Sequence, residues 1–140
     1  MSRLVLDCSI AAAWFFEDET SALAEHVLAR LATDEAVVPS IWPLEIANVL
    51  VLAERARRTT PAKSEHFLAR LTDLPIMLDH RDADHAFSSV IGLARLYGLT
   101  SYDAAYLELA LREGLPLATL DVPLRKAATK AGVALVSAGS

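Results

Sequence analysis

Apolar and polar positions fall into blocks along this chain. Five short apolar runs, LVLDC (4–8), AVVPS (36–40), PIMLD (75–79), PLATL (116–120) and VALVS (133–137), are too short for typical helices and are bounded as buried strands are. Between them the rhythm becomes helical. Ser9 to about Ala32 can hold one or two helices. Trp42 to about Arg58 places Ile46, Val49, Leu50 and Ala53 at a 3.6-residue period, and Pro61 to Leu71 sets Phe67, Leu68 and Leu71 on one side. Three further helices are expected to close on glycine: Asp82–Tyr97 before Gly98, Ser101–Glu113 before Gly114 and Val122–Ala131 before Gly132.

Strands alternating with helices predict an α/β protein with a parallel sheet covered on both faces. Such sheets carry their sites beyond the carboxyl ends of the strands, at a topological switch point. Asp7 and Asp121 each stand where an apolar strand runs out. Asp103 and Glu45 each lie early in a helix whose start falls on the same edge. Four acids from four segments are therefore expected on one rim.

Each acid also has a plain structural reading. Asp7 and Asp121 suit helix N-caps, with Pro123 in a first turn after Asp121. Thr100 and Asp103 resemble a capping box. Glu45 could be a solvated helix residue, yet it lies between Leu44 and Ile46 in a helix with little polar face. Together the four would repel, since two unit charges 4 Å apart interact by about 4 kcal/mol at an effective dielectric of 20. Either some are protonated or a cation sits among them. Oxygen donors without cysteine or paired histidine select Mg²⁺ or Mn²⁺, and the chemistry that implies is phosphodiester hydrolysis.

The 140 residues suit one domain, 1–140, and 54% apolar with 22% charged residues is a globular composition. No apolar run approaches the roughly 20 residues that span a bilayer, so no membrane association is expected and the location is read as cytoplasmic. A single cysteine, Cys8, suits a reducing compartment and a core position. The net charge of −5 makes general nucleic-acid binding less obvious and agrees with a basic partner.

The segments LVLDCSIAAAWFF, E-I-A-N at 45–48, TSYDAAYLELA and LPLATLDVPLRKAATKAGV, in this order and spacing, resemble the PIN-domain family. More narrowly, they resemble the VapC-type toxin ribonucleases of toxin–antitoxin pairs. The resemblance covers essentially the whole chain. It implies a three-layer α/β/α domain with a five-stranded parallel sheet in the order 3-2-1-4-5, and a Mg²⁺- or Mn²⁺-dependent endoribonuclease acting on structured RNA, tRNA or ribosomal RNA. Asp7, Asp103 and Asp121 would hold the ion directly or through water, and Glu45 would add a ligand or orient the attacking water. Ser9 and Thr119 match hydroxyl positions that support the carboxylates, and Asn48 matches a polar position beside the site. The resemblance further implies a homodimer and a cognate antitoxin with a basic C-terminal segment.

Arg55, Arg57 and Arg58 end one helix, and Arg125 and Lys126 follow Asp121; phosphate contact with RNA and ordinary helix-end or solvated roles both remain open. In LDHRDADH (78–85), His80 and His85 are five apart rather than four, and Asp82 reads as a helix cap. Three bulky aromatics in a row, Trp14 to Phe16, suggest a surface for another subunit or an antitoxin, or else a helix buried on two sides. Rival readings are a phospho-acceptor signalling domain with Asp79 as acceptor, a non-catalytic binding module, and a DNA-directed nuclease.

Overall fold

The computed structural model describes residues 2–19 and 21–139. The chain runs β1 (Arg3–Leu6), α1 (Cys8–Phe15), α2 (Ala22–Arg30), β2 (Glu35–Val38), α3 (Trp42–Arg55), α4 (Pro61–Thr72), β3 (Ile76–Leu78), α5 (Ile91–Tyr97), α6 (Ser101–Glu113), β4 (Leu117–Ala118) and α7 (Val122–Ala131). The sheet is parallel throughout, in the order β3-β2-β1-β4. Leu4, Val5 and Leu6 are all at 0% exposure, as a central strand covered on both faces requires. One contiguous apolar core extends from Leu4 to Val136. α6 packs on β1 and β4, and α1 packs on α2 and α3.

Four strands form where five were expected. The last run, VALVS, makes only a single parallel bridge, Leu117 to Leu135, closed by hydrogen bonds of 2.9 Å from Leu117 N to Ala134 O and from Val136 N to Leu117 O. It occupies the outer place beside β4, so the expected order survives with its fifth member shortened. β4 itself ends at Ala118, and the next residue, Thr119, carries its side chain to Asp7.

The helix expected over Asp82–Tyr97 is α-helical only from Ile91. Before it come a tight 3₁₀ turn at Asp82–His85 and a wide π turn at Ala86–Val90. Asp82 does not cap this segment. Its Oδ2 accepts from Ser40 N at 2.8 Å and Ser40 Oγ at 2.6 Å, tying the segment to the loop before α3. That tether and the change of winding go together.

The WFF stretch is largely used within the chain. Trp14 Nε1 donates to Ala24 O at 2.7 Å. Phe15 packs on both Phe16 and Phe67 at 4.9 Å between ring centroids. The helix is thus buried on two sides.

Candidate functional site

β1 delivers Asp7. Its backbone N–H donates to Ala118 O at 2.9 Å, so the residue is locked to β4 although it lies beyond the strand. The position is the N-cap of α1, yet the carboxyl makes no capping hydrogen bond. Instead Ser9 Oγ donates to Asp7 Oδ2 at 2.6 Å and Thr119 Oγ1 donates to the same oxygen at 2.7 Å. Both hydroxyls receive backbone N–H groups in turn, Ser9 from Leu120 at 2.9 Å and Thr119 from Asp121 at 3.0 Å. An ionised carboxylate can only accept, so both hydroxyls direct their protons at Asp7. Neither hydroxyl bond uses Oδ1.

Asp121 sits at the N-cap of α7, where Oδ2 accepts from Leu124 N at 3.0 Å. Asp103 lies in the first turn of α6, whose cap, Thr100, accepts from Asp103 N at 3.1 Å. The Asp121 cap holds as expected, whereas at Thr100 and Asp103 only the Thr100 half of the capping box is seen, so capping uses one carboxylate oxygen of Asp121 and only the backbone of Asp103. Glu45 lies in the first turn of α3 and is half-buried; its Oε1 accepts from the phenol of Tyr106. Sequence reasoning missed Tyr106. Its place in the apolar stripe of α6 looks like core, and the one available sign was a hydroxyl three residues after Asp103.

The four acids feel one another. Burial pushes Asp7 up from the ordinary carboxylate range, and Asp121 pushes the same way against the two hydroxyls. Burial also raises Glu45, which the Tyr106 phenol partly offsets, with Asp7 and Asp103 repelling it. Asp103 is raised by burial, then by Asp121 and Asp7. Among the described residues none of the four makes an ion pair. Nor is any group of three or more His, Cys, Asp or Glu already arranged there to hold one ion. The cluster is an open rim of hard oxygen donors. That fits a small divalent cation which keeps several waters and takes one or two carboxylates. Cys8 beside it is no nucleophile, since burial, Glu45 and Asp7 push its thiol up to about 12.

Raised carboxyls set the sign of the pH dependence. The folded chain holds those protons more tightly than the unfolded one. Stability therefore increases as pH falls through the raised values, and the gain is complete below the ordinary carboxylate pKa, about 4. Asp79 works the other way. Burial alone would raise it, but Arg112 holds it below the usual range, so its contribution is lost only at lower pH. In EDTA the thermal midpoint is expected to rise from pH 8 towards about pH 5 and to fall well below pH 4. Mn²⁺ should raise it most at pH 8. A midpoint that falls steadily from pH 8 downward would contradict this.

The other residues singled out are more scattered. Asn48 is exposed, one turn along α3 from Glu45. Arg55, Arg57 and Lys126 are exposed. Arg57 adopts a left-handed φ of 60°, and the bonds Arg57 N to Glu54 O (3.0 Å) and Arg58 N to Ala53 O (2.9 Å) close α3 in a Schellman motif. Arg58 lies 4.2 Å over the Phe16 ring and reaches Asp18 and Glu19 at 3.3 and 3.4 Å. Arg125 donates to Thr119 O at 2.8 Å, which places its guanidinium at the carboxyl end of β4.

The LDHRDADH stretch forms no metal cluster among the described residues. Arg112 Nη2 meets Asp79 Oδ2 at 2.6 Å, and Arg112 Nε meets Glu108 Oε1 at 2.8 Å, with His85 Nδ1 3.8 Å from the same Glu108 oxygen. Asp79 is thus tied up by an internal cation, which removes the ground for a phospho-acceptor.

A parallel sheet that changes direction of order between β1 and β4, with acids at that switch that make no ion pair among the described residues, defines an α/β protein with its candidate site where such folds carry one. The PIN domain family model matches residues 4–130, and the chain belongs to the PIN domain family. It is 29% identical over 119 residues to Ribonuclease VapC3 of Pyrobaculum aerophilum, covering 85% of this chain and 89% of that protein. Solved structures share the fold. Mycobacterium tuberculosis VapC20, described as a sarcin–ricin-loop-cleaving toxin, superposes with a TM-score of 0.64 at 16% identity over 95% of this chain and 98% of that one. Rickettsia felis VapBC2, bound to a fragment of promoter DNA, gives 0.59 at 12% identity over 97% and 98%. No helix among the described residues is long and apolar enough to cross a membrane.

Proposed function

We propose that this protein is a divalent-metal-dependent endoribonuclease, the toxin of a toxin–antitoxin pair. One observation carries the reading above all: at the carboxyl edge of the sheet Asp7, Glu45, Asp103 and Asp121 lie near enough for Asp121 to repel Asp7 and Asp103 and for Asp7 and Asp103 to repel Glu45, and among the described residues none of the four has an ion-pair partner. A buried acid pair elsewhere, Asp79 and Glu108, does have an internal cation. A cluster left without one is suited to acquire it from solution.

Asp7, Asp103 and Asp121 would hold the ion directly or through water, and Glu45 would be a further ligand or orient the attacking water. A bound Mg²⁺ or Mn²⁺ supplies positive charge for phosphate oxygens, an acidified water and a stabilised leaving oxygen. Ser9 and Thr119 fix Asp7 by its Oδ2. Arg125, at the end of β4, is the cation best placed to meet a phosphate near the rim, and Arg55, Arg57 and Lys126 extend the possible backbone contacts. Arg58 would first have to leave Asp18 and Glu19. The substrate class is structured RNA, tRNA or ribosomal RNA, in keeping with what VapC20 is described as cleaving.

An antitoxin with a basic C-terminal segment is the partner proposed, supported by the −5 net charge and by likeness of fold to a chain of Rickettsia felis VapBC2. Leu44, Phe87 and Leu96, exposed by 67, 96 and 71%, favour protein contact, including the proposed homodimer. A cytoplasmic site of action follows from this reading.

The test is cleavage of total tRNA and ribosomal RNA by chain purified free of partner, with Mg²⁺ or Mn²⁺, beside Asp103→Asn and EDTA controls. Discrete fragments from the wild type alone, abolished by EDTA, are expected. Equal fragments from the variant would overturn the assignment, and cleavage of DNA in preference to RNA would transfer it to another substrate.

A further inference from the structure

We infer that Tyr106 is a positioning residue for this site, its phenol holding Glu45 turned towards Asp7 and Asp103. The inference rests on the nuclease reading above. Tyr106 is at 0% exposure, and its phenol donates to Glu45 Oε1 from a position 61 residues away in sequence. A buried phenol needs an acceptor, and a carboxylate is a strong one. Tyr106 also stands three residues after Asp103 on α6, so the two lie on one helix face. A single rigid helix thereby presents Asp103 directly and fixes Glu45 of α3 through the phenol.

Glu45 needs such a tether. It has three rotatable bonds, is only half-buried, and is repelled by Asp7 and Asp103. Left free, it would swing towards water and away from the other acids. The phenol occupies one carboxylate oxygen and leaves Oε2 for the site. This is the relation of an outer hydrogen-bond partner to a ligand, whose loss typically weakens metal affinity by about 10- to 100-fold.

Tyr106→Phe removes one oxygen and keeps the buried ring. Mn²⁺ binding is measured by calorimetry without RNA, together with the Mn²⁺ concentration that half-saturates cleavage. The variant is expected to bind Mn²⁺ about tenfold more weakly and to recover most of its cleavage at saturating Mn²⁺. In a Glu45→Ala background the same substitution should change Mn²⁺ affinity no further, because the phenol acts through that carboxylate. Additive losses would overturn the inference. So would wild-type affinity in Tyr106→Phe, or fewer binding sites at unchanged affinity, which reports unfolding. If the wild-type chain neither binds Mn²⁺ nor cuts RNA, the nuclease reading itself fails. If wild type does both and Tyr106→Phe matches it, only the role of Tyr106 is lost.

Discussion

Asp7→Asn is expected to lose RNA cleavage by on the order of 10³-fold while its thermal midpoint without metal stays level or rises. The two halves of this result come from the same geometry. Asparagine keeps the shape and an oxygen that can accept the Ser9 and Thr119 hydroxyls, now at 2.6 and 2.7 Å from Asp7 Oδ2. It removes a buried charge that Asp121 repels and that in turn repels Glu45 and Asp103. A carboxyl whose pKa is raised by folding is a net burden to the fold at neutral pH, so neutralising it relieves the folded state. The same charge is what attracts a divalent ion. Asp7→Ala separates the effects: it is equally inactive, but it orphans two inward-directed hydroxyls and costs about 1–3 kcal/mol. Cleavage assays and thermal melts in EDTA check all three chains. Cleavage by Asp7→Asn within tenfold of wild type, or a clear fall in its midpoint, would contradict this account.

What the sequence made legible was what local pattern and topology control. LVLD and PLATLD each read as a buried strand ending on an acid, because period and length separate such runs from helices and a parallel sheet sends its strand ends to one edge. The caps at Thr100 and Asp121 and the stops at Gly98, Gly114 and Gly132 followed from the chemistry of helix ends. What escaped was long-range partnership. Nothing local marks Tyr106 as the partner of Glu45, or Arg112 as the partner of Asp79 33 residues away. The single-bridge fifth strand escaped for a related reason: VALVS has strand composition, but the length of pairing is set by its neighbour, and β4 is only two residues long. At 82–90 the helical rhythm was present, while the winding is 3₁₀ and then π in a segment whose first residue, Asp82, is bonded to Ser40. The acids could be placed on one rim from sequence, but which of them an internal cation neutralises could not.

That last distinction has its sharpest consequence at Arg112. The side chains of Arg112, Asp79 and Glu108 are only 15, 6 and 5% exposed, and the guanidinium serves both carboxylates. Arg112→Met fills similar space and removes the guanidinium from two buried carboxylates, leaving Asp79 the Arg81 N–H at 3.3 Å and Glu108 only His85 at 3.8 Å. Removing one member of such a group costs about 3–5 kcal/mol. At roughly 3 °C per kcal/mol for a chain of this length, the midpoint at pH 7 should fall by about 10 °C or more. With the guanidinium gone, burial is left to raise the pKa of Asp79, so the variant should recover stability as pH falls towards 5, more steeply than wild type. Mn²⁺ is the discriminating addition. It should raise the midpoints of wild type and Arg112→Met by similar amounts, because it neutralises the rim around Asp7 and does nothing for Asp79 and Glu108. Cleavage well below the variant's midpoint should stay near wild type. If Mn²⁺ specifically repaired Arg112→Met, the second acid cluster would be a metal site too, and the division between acids with an internal cation and acids awaiting one would fail.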